Sequence, residues 1–224
     1  MPMMKPRKRI TKKQMKEDKF VTSTFKAIEF IQNYSKHLVL GFIAIVVVVI
    51  AGLLISSSKR QKDQDAAAQL GMALLVYQTG DYAGAINLFE PVLRTYGGTR
   101  SASQATYFLG NCFYFTDDYG KALEYYTKYT TMGHTLPSLK VSAIAGIAAC
   151  HEQQEEFTEA ARYYERAEKE CPEFYQAAEF LLSAGRCYEA SDQKEDAKRV
   201  YQKIVDLYPE SQSIQQAKLT LAEF

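Results

Sequence analysis

The 224-residue sequence has no tryptophan and contains only three histidines and four cysteines. None of the histidines, His37, His134 and His151, has a second histidine or a cysteine pair at the spacing of a metal site. The GxxxxGKS/T phosphate loop and the GxSxG nucleophile motif are both absent. We therefore expect no catalytic residues, no metal, no cofactor and no small-molecule substrate, and we interpret His151 as a packed helix residue.

The sequence does contain one long apolar run, LVLGFIAIVVVVIAGLLI, from Leu38 to Ile55, without a single charge. At about 1.5 Å per residue, a helix of this length spans about 27 Å, close to the hydrocarbon thickness of a bilayer. The run therefore predicts a transmembrane helix over 38–55. A cleaved signal peptide is the alternative, but 37 residues precede the run and it exceeds the usual signal core, which favours a retained signal anchor.

Charge is distributed unevenly on the two sides of this run. Residues 1–37 carry ten Lys or Arg and three Asp or Glu, whereas residues 59–224 carry 17 and 23. Close to the run, the ten Lys or Arg that precede it outnumber the three that follow it, Lys59, Arg60 and Lys62. The positive-inside bias therefore predicts a cytoplasmic N-terminus and places residues 59–224 across the membrane. In a bacterium this means an inner-membrane protein with a periplasmic domain. A basic head on an acidic body does not indicate nucleic-acid binding.

The segments that flank the run are predicted to differ in character. Residues 1–37 form a basic cytoplasmic head, in which Phe20, Ile31 and Tyr34 recur at helical spacing. This spacing fits an amphipathic helix on the membrane face, and equally a solvated basic helix that leads into the span. Residues 56–65 are predicted to form a linker.

Beyond residue 65 the sequence repeats with a period of 37 or 38 residues. Each repeat has an alanine, an aromatic residue four positions later and a small residue twelve positions earlier. The alanines are Ala85, Ala122, Ala160 and Ala197; the aromatic residues are Phe89, Tyr126, Tyr164 and Tyr201; the small residues are Ala73, Gly110, Ala148 and Gly185. Such a period is typical of stacked helical hairpins. We predict hairpins at 66–99, 103–136, 141–174 and 178–211, and a C-terminal capping helix at 212–224.

The repeat resembles the tetratricopeptide repeat. The segment Leu109–Tyr129, LGNCFYFTDDYGKALEYYTKY, and the segment Gly80–Leu93, GDYAGAINLFEPVL, are both similar to that family's consensus. The resemblance implies an all-α fold, with one N-terminal transmembrane helix followed by an α-solenoid of tetratricopeptide hairpins. The sequence departs from the consensus in a period longer than about 34 residues and in Lys194, which replaces an aromatic residue.

Three of the cysteines, Cys112, Cys150 and Cys187, recur in phase with the repeat. They are predicted to occupy the same small buried position in successive hairpins. Equivalent positions on neighbouring helices lie about 8–10 Å apart, beyond the Cα separation of about 7 Å that a disulfide tolerates. These cysteines are therefore predicted to be free thiols, while a bond between Cys171 and Cys187 remains open.

In tetratricopeptide stacks the first helices of successive hairpins line a concave groove. The resemblance therefore implies a partner-binding groove with proteins or peptides as ligands. Its residues would be Tyr77, Tyr107, Asn111, Tyr114, Phe115, Glu152, Arg186 and Glu189. Tyrosine and arginine are favoured anchors at protein interfaces. The alternative is that several of these aromatic residues pack between hairpins.

The complete layout, a basic head, one span and a tetratricopeptide stack, resembles the YfgM-like family of ancillary subunits of the bacterial Sec translocon. This resemblance implies a chaperone-like accessory factor at the protein-export translocon, with exported chains, translocon subunits or envelope proteins as partners. Two alternatives remain open. One is a scaffold for cell-envelope assembly or cell division, and the other is a receptor on an organelle surface.

Overall fold

The computed structural model describes the backbone from residue 12 onward and the side chains from Lys19 onward, except those of Ser35 and Leu38. The start of the predicted basic head lies outside the described residues. Residues 12–224 form nine α-helices and no strand, which confirms the all-α prediction. The helices are α1 (Lys12–Gln78), α2 (Tyr82–Thr95), α3 (Arg100–Phe115), α4 (Tyr119–Thr131), α5 (Pro137–Gln153), α6 (Phe157–Glu170), α7 (Ala177–Ala190), α8 (Lys194–Leu207) and α9 (Ile214–Leu221).

The candidate membrane span lies within α1. By length and composition, Val39–Gln78 is the part of the described chain that could cross a membrane, and none of its most apolar window is buried. Charged side chains begin at Lys59 and continue with Arg60 and Lys62. Because such side chains are costly in hydrocarbon, the uncharged part of this stretch that precedes Lys59 is the part suited to a bilayer.

The predicted linker at 56–65 is not a break in the helix, because α1 continues through it to Gln78. The segment reads SSSKRQKDQD and contains neither glycine nor proline. Lysine, arginine and glutamine are good helix formers, so the local sequence supports continuation of the helix. The composition changes from apolar to charged at this point, but a change in polarity does not interrupt backbone hydrogen bonding.

Arg60–Phe224 forms a compact unit of its own. In this unit each helix packs against the next helix in the chain, and short turns connect them. The residue that reverses the chain within each hairpin has a positive φ, which favours glycine and is tolerated by aspartate. These residues are Gly80 (φ 82°), Asp117 (61°), Glu155 (60°) and Asp192 (56°). The four turns are therefore built alike, although only one contains glycine.

An aromatic ring of each second helix fills the space beside a small residue of the first helix. The ring of Tyr126 lies between α3 and α5, and a Cβ placed on Gly110 or Gly146 would approach its carbons to 2.7 and 2.6 Å. In the same way, a Cβ on Gly185 would lie 2.3 Å from the ring of Tyr201. These glycines are required because the ring occupies the volume of a side chain.

Polar contacts add to the apolar packing between the last two hairpins. Glu168 on α6 is 2% exposed and accepts hydrogen bonds from Lys203 (2.6 Å) and from the hydroxyl of Tyr208 (2.8 Å). Glu165, one turn earlier, accepts from both guanidinium nitrogens of Arg199 and from the hydroxyl of Tyr188. A buried carboxylate is tolerated only when it is paired in this way.

All four cysteines are free thiols in the structure. Cys112, Cys150 and Cys187 are buried, and burial raises the pKa of each thiol to about 12. Cys171 is half-buried, and its thiol contacts a carboxylate oxygen of Glu173. The three cysteines in phase with the repeat thus fill apolar space, as the sequence predicts, and Cys171 is not paired with Cys187.

The close approach at Gly146 predicts the effect of one methyl group. The substitution Gly146→Ala should lower the free energy of unfolding by about 1–3 kcal/mol, because the new Cβ overlaps the ring of Tyr126. The control Gly120→Ala has no atom closer than 3.9 Å to the new Cβ. It should be neutral or stabilising by up to about 1 kcal/mol, from helix propensity alone. Urea unfolding of both variants measures the difference, and equal stabilities would refute the packing argument.

Burial of the three thiols predicts their reactivity. In the folded protein at pH 8, an alkylating reagent should modify Cys171 and leave Cys112, Cys150 and Cys187 unmodified, because the thiolate is the reactive form. In denaturant all four should react, and intact-mass spectrometry counts the adducts.

The raised pKa values of the three buried thiols also predict that the free energy of unfolding falls as the pH rises above 9.0, the ordinary thiol value. Above this pH the unfolded chain releases protons that the folded state retains.

Candidate protein-binding groove

The residues predicted to line the groove lie on the first helices of the hairpins, and we call the side that carries them the groove face. One is on α1, four are on α3, one is on α5 and two are on α7. In chain order they are Tyr77, Tyr107, Asn111, Tyr114, Phe115, Glu152, Arg186 and Glu189. They are half-buried except for Phe115 and Arg186, which are exposed.

Four of these residues occupy one equivalent position in successive hairpins. Tyr77, Tyr114, Glu152 and Glu189 follow one another at intervals of 37, 38 and 37 residues. Asn111 and Arg186 occupy the position one helical turn earlier in the second and fourth hairpins. The groove face therefore changes character along the stack, from hydroxyl-bearing aromatic rings at its start to carboxylates at its end.

Asn111 is held by tyrosines on both sides. The hydroxyl of Tyr126 donates to Oδ1 of Asn111 at 2.8 Å, and Nδ2 of Asn111 donates to the hydroxyl of Tyr77 at 3.2 Å. Oδ1 keeps a second lone pair, and the Tyr77 hydroxyl keeps its own O–H to donate. This fixed pair of groups offers one acceptor and one donor, the complement of a peptide group.

Tyr107 belongs to the packing of the stack. Its ring lies edge-on to Phe108 at a centroid distance of 5.2 Å, and it also contacts Tyr126 at 6.0 Å and Tyr129 at 5.6 Å. Burial raises the pKa of its hydroxyl, which keeps the group neutral. For this residue, the alternative that the aromatic ring packs between hairpins describes its contacts.

Phe115 is the exposed aromatic residue of α3, and the half-buried Tyr114 lies beside it. Phe115 is 51% exposed, and one face of its ring stacks on Tyr82 at a centroid distance of 4.6 Å. Tyr114 contacts Phe115 and Tyr119 edge-on, each at 5.6 Å. These contacts hold the rings in place at little further loss of side-chain entropy, which suits them to serve as binding anchors.

The two glutamates are tied to the second helix of their own hairpin. Glu152 accepts a hydrogen bond from the hydroxyl of Tyr164 at 2.8 Å, and Glu189 lies near enough to the hydroxyl of Tyr201 to help raise its pKa. Burial, with a smaller contribution from the adjacent carboxylate, raises the pKa of both tyrosines, so the hydroxyls stay protonated and continue to donate. The carboxylates are thereby oriented and remain half-buried.

Arg186 lies at the C-terminal end of the groove face. Its guanidinium donates to the hydroxyl of Ser183 at 3.0 Å and lines a cleft of about 860 Å³. The cleft is bounded by α7, by the chain that follows α8 and by α9. Its other walls include Tyr175, Glu179, Leu182, Glu210 and Gln216.

The structure joins only some of the predicted residues to one another. Tyr77 and Asn111 share a hydrogen bond, and Tyr114 and Phe115 share a ring contact. Glu152 and Arg186 hydrogen-bond instead to residues of their own hairpins, and Glu189 lies near Tyr201 of its own hairpin. The predicted set therefore divides into an aromatic part on α1 and α3 and a charged part on α5 and α7.

Sequence reasoning missed three residues of this surface, namely Tyr82, Leu182 and Tyr175. Leu182 follows Tyr107 by two periods, so the repeat itself contained the signal. Tyr82 also lies at a repeat position, but the repeat does not reveal that its ring stacks on Phe115. Tyr175, which is 83% exposed, lies in the connection between α6 and α7, where no repeat position exists to identify it.

A metal site is not apparent in the part of the chain that the structure describes. No group of three histidine, cysteine or acidic side chains converges there. The residues of the groove face offer hydrogen bonds, aromatic contacts and charges.

Comparison with known proteins identifies the repeat. Tetratricopeptide-repeat family models match residues 64–132 and 179–211. No curated protein sequence matches the chain. Tetratricopeptide repeats are generally non-catalytic and mediate protein–protein interactions.

Two solved structures are similar in fold. The MamA RS-1 ArsTM double mutant aligns with a TM-score of 0.54 and 18% identity over 65% of this chain and 76% of that chain. YrrB, a TPR protein with an unusual peptide-binding site, aligns with a TM-score of 0.54 and 21% identity over 68% of this chain and 74% of that chain. Residues 64–132 and 179–211 are therefore tetratricopeptide repeats, and the described residues 12–224 form an all-helical fold with one candidate membrane span.

Proposed function

We propose that this chain is a membrane-anchored, chaperone-like accessory factor at the protein-export translocon, and that its groove face binds extended segments of exported chains. The N-terminus is cytoplasmic, the anchor lies in the bacterial inner membrane and the repeats lie in the periplasm. The excess of positive charge before the candidate span supports this orientation.

The observation that carries the proposal is the composition of the groove face on α1 and α3. The hydrogen-bonded pair Tyr77–Asn111 complements a peptide group, and the exposed ring of Phe115 lies on the same face. A backbone-directed contact beside an apolar ring recognises an extended chain with little regard to its sequence. This is the requirement for binding many different exported proteins.

The C-terminal part of the groove face adds a charged contact. Arg186 projects into the cleft beside the apolar side chain of Leu182. The guanidinium group favours a carboxylate, from an acidic side chain or from the end of a peptide. A bound segment would thus have apolar side chains toward α3 and an acidic group toward α7.

The aromatic contact can be tested with a substitution at an exposed residue. Phe115→Ser should weaken the binding of an unfolded, apolar model peptide by about 1–3 kcal/mol, the loss expected for an aromatic anchor. Thermal stability should change little because Phe115 is half exposed. Leu207→Ser is a matched control, since Leu207 is 59% exposed on α8, outside the groove face. Fluorescence anisotropy measures the affinities, and equal losses in both variants would contradict the assignment.

The identity of the partners can be tested by photo-crosslinking in intact membranes. A photoreactive residue at Tyr114 should capture translocon subunits and a range of exported chains. The same probe at Glu124, an exposed position on α4, should capture few. A single folded envelope protein among the adducts would favour the scaffold instead, cytosolic partners would favour an organelle receptor, and no enrichment over Glu124 would show that the groove face does not bind.

A further inference from the structure

Within the compact unit Arg60–Phe224, the α1 segment over residues 60–78 has one side that no other described helix covers. We call this side the outer face. Over residues 60–78, one side of α1 packs into the core through Ala66, Leu70 and Ala73, which are at most 6% exposed. On the other side, Met72 and Leu75 are 57% and 65% exposed. The segment from Ala66 to Gln78 has no charged residue. A helix that is apolar on all sides is normally covered on all sides.

The repeat shows that this outer face corresponds to an interface. The counterparts of Met72 and Leu75 in the second hairpin are Leu109 and Cys112, each 0% exposed. In the third hairpin they are Ile147 and Cys150, at 2% and 0%. In those hairpins the preceding second helix lies against the first helix and covers these positions. The first hairpin has the same apolar surface and no described helix before it in the stack.

The outer face contains a line of residues with the three- and four-residue spacing of a coiled-coil seam, in which Ala68 and Leu75 are the apolar members. A seam with alternating spacings of three and four residues runs through positions that are all exposed and uncharged, namely Gln61, Gln64, Ala68, Gly71, Leu75 and Gln78. The core-facing residues Ala66, Leu70, Ala73 and Tyr77 fall on the opposite side of the same heptad. A Cβ on Gly71 would have no neighbouring atom within 4 Å, so this side is open for a second backbone.

Charge complementarity favours a second copy of this chain as the occupant. In the heptad defined by the seam, Arg60 precedes the first seam position and Asp65 follows the second. They are five residues apart, the spacing at which flanking residues of two parallel helices form ion pairs between the chains. Two identical copies would therefore form two Arg60–Asp65 pairs, one on each side of the seam. Within one helix, residues five apart are not neighbours, so the two charges are not expected to pair internally.

We propose that two copies of this protein pair along residues 60–78 of α1 as a parallel, two-fold-symmetric helix dimer. Two and a half heptads form only a weak pair by themselves. Copies anchored in one membrane by the same segment share their orientation and have a high effective concentration, which raises the stability of such a pair. The small seam residues Ala68 and Gly71 allow close approach, while Leu75 supplies apolar area. The proposal does not depend on what the groove face binds.

Cysteine crosslinking of the full-length protein in native membranes tests the proposal. In a Cys171→Ser background the three remaining native thiols are buried. Leu75→Cys or Ala68→Cys should form a disulfide-linked dimer on mild oxidation. The matched control Lys62→Cys is also exposed but lies off the seam. It should crosslink about tenfold more slowly, because disulfide formation requires Cβ atoms about 4 Å apart.

Exchange of the flanking charges tests the role of the ion pairs. In the Leu75→Cys chain, Arg60→Glu should slow dimer formation, because it places the introduced carboxylate of each copy opposite Asp65 of the other. The double exchange Arg60→Glu with Asp65→Arg should restore the original rate, because opposite charges again face each other. Equal crosslinking at Leu75→Cys and Lys62→Cys, a double exchange no faster than the single one, or adducts of Leu75→Cys with a different protein would each overturn the proposal.

Discussion

The contact between an aromatic ring and a small residue determines the rest of this structure. Where Tyr126 lies against Gly110 and Gly146, the ring takes the place of two side chains and sets the distance between three helices. The same contact recurs between Tyr201 and Gly185. Because the ring approaches from the second helix, the first helix is held in one rotation about its axis. That rotation decides which residues reach the groove face.

The hydroxyl groups of these rings connect the core to the surface. Tyr126 donates to Asn111, and Tyr164 donates to Glu152, so in each case a core ring orients a polar group at the edge of the groove face. In the first hairpin the core ring is Phe89, which has no hydroxyl, and Tyr77 supplies one from the groove side instead. A polar surface prepared in this way loses little entropy when it binds, because its groups are already fixed.

A stack of hairpins has two ends, and in this protein the two end surfaces differ in how they are covered. At the C-terminal end, α9 packs on α8, buries Ala217 and forms one wall of the cleft that contains Arg186. At the N-terminal end, the outer face of α1 keeps the apolar residues of an internal hairpin, including Met72 and Leu75. Terminal units of helical repeats normally carry a polar outer face. This exception at α1 is the feature on which the proposed helix dimer rests.

The sequence by itself determined the all-α class, the candidate span and the periodic core. These features depend on composition and on spacing along one chain, as in the recurrence of Ala85, Ala122, Ala160 and Ala197. It also identified Cys112, Cys150 and Cys187 as buried positions, because a repeat gives equivalent residues equivalent surroundings. The continuation of α1 through 56–65 was missed, since a change of polarity resembles a boundary although the backbone crosses it unbroken.

Only the tertiary structure decided which groove residues are surface and which are packing. Tyr107 and Phe115 are both aromatic residues of α3, yet the first contacts three rings and the second is half exposed. The cleft at Arg186 also depends on α9 and on the connection before α7, segments far apart in sequence. Such differences arise from neighbours on other helices, and periodicity along one helix carries no information about them. The sequence defined the repeated unit, while the contacts between units determined the surface that it presents.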